Sequence, residues 1–239
     1  MDLRTTLYTA LQNIISKDFA VALDYILDLA PYIGELNQSR KIQRTATRIK
    51  DHSQHLQRIN QLFSSERISK EFIQERIGPI ILSDLIEEHE DEKIVYVLNG
   101  FENVFINENT NESLIINYFD TLRNLRYADI RKLYFYAAIA EDPFNKIEEG
   151  TPEDGLSQQI YSKLERLYLV KSAKTWDALK IGPELLSEED RKVELTIYGK
   201  EFIKFISHDF DEDKYNERIN KLVITEENRI SRDVKAVFG

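Results

Sequence analysis

Apolar side chains return every three or four positions over most of the chain, the spacing that lines one face of an α-helix. Leu3, Leu7, Leu11 and Ile14 form one stripe, and Phe19, Leu23, Ile26, Leu27 and Ala30 a second, so two amphipathic helices are expected before Pro31 and Gly34. The stretch that follows sets Ile42, Ile49, Leu56 and Phe63 seven residues apart, with Ala46, Ser53 and Asn60 between them. This thin, polar-interrupted seam predicts a long helix; it permits a homodimer and equally a helix packed within its own chain. Residues 66 to 77 read as a further helix, stopped before Pro79 because proline disfavours a helical conformation at Gly78. Helical patterns then cover Ile80 to Glu88 and Asp91 to Phe105, the second with Ile94, Val97, Leu98, Phe101 and Phe105 on one side. Asn109 with Glu112 three residues on resembles a capping box and predicts a helix that buries Ile115, Phe119 and Leu122. Another, from about Ala128 to Ala140, turns Ile130, Leu133, Tyr134 and Ala137 inward.

The pattern changes at "EDPFNKIEEGTPEDG", the clearest break in the chain. Thr151 as N-cap, Pro152 at the first helical position and the acids Glu153 and Asp154 predict a strong helix start. That helix is expected to bury Leu156, Ile160, Leu164 and Leu167. "YLVKSAKTW" and "RKVELT" then read as two strands around a loop, and "VELTIYGKEFIKFI" carries the second strand into a helix with Phe202, Phe205 and Ile206 on one face. Helix, helix, strand, loop, strand, helix is the order of a winged helix. The expected fold is therefore mainly α: a helical domain over 1–108, a winged-helix-like domain with a small antiparallel β-ribbon over 109–208, and an acidic, helical extension over 209–239 that carries Ile219, Leu222 and Val223.

Composition agrees with this picture. The chain of 239 residues has only 8 glycines and 5 prolines, little material for a turn-rich β architecture. It has no cysteine, which excludes disulfides, thiolate nucleophiles and thiolate metal sites. The N-terminus lacks the basic start and continuous apolar run of a secretory signal, and "FAVALDYILDLAPYIG" is too short to span a bilayer and contains Asp24 and Asp28. The expected location is the cytoplasm, with no membrane partner; action on a membrane through residues 19–33 is the weakest reading.

Charge decides more. Lys and Arg number 32 against 42 Asp and Glu, a net charge of −10, so DNA binding would require a local concentration of cations. On the helix from Thr151 to Leu167, Ser157, Gln158, Tyr161, Ser162, Lys163 and Arg166 are the candidates to contact a base edge or a partner, joined on the ribbon by Lys171, Lys174 and Trp176. Acids nearly balance bases between Leu156 and Ile206, however, and the loop tip from Ser187 to Asp190 is acidic. That balance favours protein contact over DNA. Positive charge is concentrated elsewhere, where Arg40, Lys41, Arg44, Arg48, Lys50 and Arg58 meet Asp51 alone. This is a candidate basic contact face, or else a face that answers the chain's own acids at Glu87 to Glu92.

Signatures of catalysis are missing. There is no Gly-rich phosphate loop, no Gly-x-Ser-x-Gly elbow and no dinucleotide fingerprint, so neither an enzyme nor a cofactor is expected. His52 and His55 are three residues apart, where a helical zinc pair requires four, and no metal is expected.

The run "RIGPIILSDLIEEHEDEKIVYVLNGFENVF" leads into "IINYFDTLRNLRYADIRKLYFYA", then "LERLYLV" and the late Thr-x-x-Gly-x-x-Phe of "TIYGKEF". From about Arg44 onward this layout resembles Abi-alpha, a bacterial family grouped with abortive-infection proteins. Residues 1–35 and the long loop from Glu141 to Gly150 fall outside the resemblance. It implies a cytoplasmic, helical protein of phage–host conflict with a winged-helix tail, and it brings no active site. The functional expectation is a binding protein that acts through a protein partner; the alternative is a DNA-binding regulator.

Overall fold

The computed structural model describes residues 44–65, 68–148, 150–172 and 193–221, and among these it is mainly helical with a small antiparallel ribbon. The two helices expected before Pro31, together with Arg40, Lys41, Lys174 and Trp176, lie outside the described residues. Contacts divide the chain into two compact units. The first holds the described residues up to Tyr127 together with Phe205–His208, and the second holds Ala128–Lys204 and the described residues from Asp209 on. The contact division falls after Tyr127, so the helix that begins at Glu112 belongs to the first unit.

In the first unit, α1 (44–51) meets α2 (Ser53–Ser64) at His52, whose backbone leaves the helical region. Ile49, Leu56 and Phe63 of the heptad seam are all buried inside this chain. These described seam residues pack within their own chain, where α2 lies against α4 (Ile94–Ile106). The helix expected to stop before Pro79 does not stop. Lys70–Phe72 and a π-helical stretch, Ile73–Ile77, run directly into α3 (Gly78–Glu87), and Gly78 keeps helical angles. Proline is tolerated in the first turn of a helix, and the wider π turn, in which the Gly78 N–H reaches Ile73, absorbs the missing proline donor.

α4 enters through a 3₁₀ turn, Asp91–Lys93, and presents the predicted stripe Ile94, Val97, Leu98, Phe101 and Phe105 to the core. α5 (Glu112–Asn124) buries Ile115, Phe119 and Leu122 as expected, but its cap is Asn111, whose side chain accepts from the Leu114 N–H, rather than Asn109. Asn109 instead accepts from Asn111 and shapes the loop before it. The last residues of the core arrive from far along the chain. Phe205 lies between Tyr118 and Phe119, over Gly100, while Asn99 and Asn103 donate to the carbonyls of Ile206 and Phe205 at 2.9 and 2.8 Å.

In the second unit, α6 (Tyr127–Tyr136) ends sooner than its apolar pattern suggested, at an Ala138 with positive φ. Tyr136 and Lys132 are buried in place of Tyr134. Lys132 pairs with Asp142 at 2.9 Å among the rings of Phe135, Tyr136 and Phe144, so the buried ammonium keeps both a counter-ion and aromatic faces. α7 (Pro152–Arg166) starts at the Thr151 cap as predicted and buries Ile160 and Leu164, but Leu156 is 45% exposed. Ser157 takes the inward position instead, since the inward stripe runs 157, 160, 161 and 164. β1 (Val170–Ser172) pairs antiparallel with β2 (Val193–Leu195), with Val170 opposite Leu195 and Lys171 opposite Glu194. α8 (Ile197–Ile206) follows, and a further helix, α9 (212–221), is capped by Asp211, whose carboxylate accepts from Asp213 and Lys214. The Tyr215 hydroxyl takes the outward N–H of Leu195 at 2.8 Å and so closes that edge of the ribbon.

Candidate interaction surface

The junction between α7 and the ribbon is built without a glycine where one is usual. The N–H of Tyr168 reaches Glu165 and that of Leu169 reaches Leu164, the paired bonds of a Schellman motif, and Tyr168 occupies its left-handed position at φ 58°. Leu169 and Leu164, the apolar pair of the motif, are both buried. The same device ends α4 at Glu108 and α6 at Ala138, so three described helices stop on residues that carry a Cβ.

Thr196 locks this junction from the other side. Its hydroxyl donates to the carbonyl of Tyr168 and accepts from the Gly199 N–H at 2.9 Å, capping α8, while its own N–H reaches Leu169 at 3.1 Å. Gly199 is needed because a Cβ there would lie 1.9 Å from the Leu169 oxygen. The Thr-x-x-Gly of "TIYGKEF" is thus the fastening between the end of α7 and the start of α8. Two large apolar side chains flank it in solvent: Tyr168 is 76% exposed and Ile197, at the first position of α8, is 86% exposed.

The sequence candidates are distributed differently. Ser157 and Tyr161 are buried, and Tyr161 donates to Glu165 within α7. Lys163 pairs with the buried Asp129 at 2.6 Å and ties α7 to α6. Gln158, Ser162 and Arg166 remain on the surface, where Gln158 bonds Asp154. On the ribbon Lys171 faces Glu194 at 3.6 Å. Lys200 meets Glu212, and Lys204 meets Glu201 and Glu212; the Glu201 hydrogen bond leads the effects that hold the Lys204 ammonium above its ordinary pKa. The described lysines named here therefore have acidic neighbours of their own, an arrangement poorly suited to phosphate.

On the candidate basic face of the first unit, Arg48 turns inward, while Lys50 and Arg58 stay exposed. Arg48 is 4% exposed; its guanidinium donates to the carbonyls of Leu85 and Glu88 at 2.6 and 2.7 Å and to Asp91 at 2.8 Å, closing the C-terminus of α3. Arg44 donates to Asp91 at 3.0 Å and to the carbonyl of His89. The two arginines hold Asp91 below the usual carboxylate range against the opposing effect of burial, which is the largest single influence on it. These residues are a helix clamp. Among the described residues no group of three or more His, Asp or Glu is arranged to hold a metal ion, and no helix is long and apolar enough to cross a membrane.

Comparison with family models, with curated proteins and with solved structures gives no match. Tyr168 and Ile197 were not singled out in the sequence, although both lie inside the short motifs quoted from it. A tyrosine where a helix needs glycine leaves no mark on apolar periodicity.

Proposed function

We propose that the protein is a non-enzymatic binding protein that works by protein contact, and that Tyr168 and Ile197 make the contact. The conformation of Tyr168 carries this reading. A left-handed backbone costs a residue with a Cβ about 1–2 kcal/mol, and glycine would relieve it. No burial offsets that cost, because the ring stands in solvent. Strain held at an exposed aromatic is typical of functional positions, and tyrosine is enriched at the energetic centres of protein interfaces. The resemblance to Abi-alpha supplies the setting of this proposal, which is phage–host conflict in the cytoplasm.

DNA reading is the second interpretation, favoured by Gln158, Ser162 and Arg166 on the surface of α7. One pair of experiments separates the two. A photo-crosslinking amino acid at 168 or 197 in the full chain, expressed in bacteria, is expected to yield a discrete adduct that is absent when the probe replaces the exposed Lys214. Adducts no stronger at 168 and 197 than at 214 would sink the contact proposal. Anisotropy with mixed-sequence duplex DNA is expected to show no salt-sensitive binding; binding removed by Arg166→Glu with Lys171→Glu would establish the DNA reading instead.

A further inference from the structure

Glu102 sits mid-way along α4 and is 6% exposed, yet three cationic or titratable groups converge on it. Arg58 Nε of α2 donates to its Oε1 at 3.2 Å. On the other oxygen, Oε2, His55 Nε2 of α2 lies at 2.7 Å and His208 Nε2, just beyond α8, at 3.4 Å. Two imidazoles thus address one buried carboxylate oxygen. His55 is buried with its partner, whereas the His208 side chain is 43% exposed. His208 ends the segment Phe205–His208, which fills the groove formed by Asn99, Gly100 and Asn103.

We propose that the His55–Glu102–His208 cluster is a proton-sensitive latch, which holds the segment Phe205–His208 in the α4 groove near neutral pH and lets it go on acidification. The proposal does not rest on the contact surface described above.

The charge count supplies the mechanism. With His55 neutral, Glu102 and Arg58 cancel. A proton taken up by His55 then adds an uncompensated positive charge beside the Arg58 guanidinium, at a ring and a carboxylate that are both buried. The groups acting on His55 are Glu102 from α4, Arg58 from α2 and His52 from the α1–α2 joint, with His208 opposite across the carboxylate. Burial, then the charges of Arg58 and His52, hold the His55 imidazole below its ordinary pKa, outweighing the attraction of Glu102. Burial pushes the Glu102 carboxyl up, but the Arg58 hydrogen bond and the surrounding positive charge prevail and keep it below its ordinary value. It therefore stays ionised while His55 titrates. Once His55 is protonated, an imidazolium and the Arg58 guanidinium both hold the carboxylate, and His208, at 3.4 Å and partly exposed, is the member free to leave. The linkage has the matching sign. A histidine depressed in the fold contributes stability that is present above its unfolded value of 6.5 and is lost as the pH falls through the lower folded value.

The test reads the segment locally, by hydrogen–deuterium exchange of peptides spanning residues 202–209 in the full chain, at about pH 7.5 and about pH 5 with intrinsic rates normalised. Exchange is expected to quicken about tenfold or more at the lower pH, and His55→Gln, which keeps a donor and cannot charge, is expected to remove most of that increase. Equal protection at both pH values in the unaltered protein overturns the latch, as does an undiminished increase in His55→Gln. Should that variant not fold, NMR titration of the His55 ring in the unaltered protein decides: a midpoint below 6.5, with the ring resonances of His208 reporting loss of contact in the same range, supports the proposal, and a midpoint at or above 6.5 overturns it.

Discussion

Gly199 and the carbonyl of Leu169 are in such close approach that a side chain on the glycine would place its Cβ 1.9 Å from the oxygen. Neither backbone can yield easily, since Leu169 is held by the Leu164 carbonyl and by Thr196. Gly199→Ala is therefore expected to destabilise the second unit by about 3 kcal/mol, the upper end of overpacking effects. Urea denaturation measures this, and a loss below about 1 kcal/mol would show that the junction can open.

Gly100 offers a graded comparison. Its Cβ would meet the Phe205 ring at 2.6 Å, but a ring tip can shift where a carbonyl cannot. Alanine also gains about 1 kcal/mol of helix propensity there, so Gly100→Ala is expected to cost a net of about 1–2 kcal/mol, less than the change at 199. The ranking of the two urea midpoints checks the argument.

Much of the fold was legible because it rests on local rules. Ile94, Val97, Leu98, Phe101 and Phe105 share a face through periodicity alone, and Thr151-Pro152 marks a helix start by the chemistry of its own few atoms. Other features depend on partners far away in sequence. Arg48 reads as surface charge until α3 brings the carbonyls of Leu85 and Glu88 to it, and Lys163 reads as a base-edge or partner contact until Asp129 pairs with it. Pro79 misled for a different reason: the rule about the residue before proline rests on a clash of the ring with that residue's Cβ and N–H, and Gly78, which keeps helical angles, has no Cβ. Of the candidate site, the motifs "LERLYLV" and "TIYGKEF" are visible as strings, while the left-handed conformation of the tyrosine inside the first is not.

Tyr168→Gly is expected to raise stability by up to about 1 kcal/mol, the relief of the left-handed strain less the added freedom of glycine in the unfolded chain. The same change is expected to abolish the adduct formed by a probe at 197. A thermal melt beside the crosslinking assay separates a residue kept for folding from one kept for contact; a clear drop in stability would assign Tyr168 to folding.

Removal of the Arg48 guanidinium takes its donors from the Leu85 and Glu88 carbonyls at the end of α3 and leaves Asp91 with Arg44. Arg48→Met is expected to cost about 3 kcal/mol, and Arg48→Lys most of that, because an ammonium cannot span all three acceptors. Guanidinium denaturation of the two variants tests it, and a lysine variant as stable as the parent would contradict the clamp.

Asp84 imposes a pH dependence of its own. Burial pushes its carboxyl up to about 6 despite the Arg123 hydrogen bond. A carboxyl raised in the fold contributes stability that is fully present below its unfolded value of 3.8 and is lost as the pH rises through about 6. Asp84→Asn is expected to flatten the stability profile between these limits, which denaturant midpoints measured across that range will show; an unchanged slope would place the titration elsewhere.

The groove of Asn99, Gly100 and Asn103 also imposes an order of events on synthesis. The first unit contains Phe205 in its core, so the ribosome must make the entire span from Ala128 to Lys204 before the piece that closes the earlier unit exists. At about 5–20 residues per second, that leaves the nascent chain several seconds with an open apolar slot between Tyr118 and Phe119. During this interval the unfinished molecule is a substrate for chaperones, and premature termination anywhere before residue 205 produces a first unit that lacks its keystone.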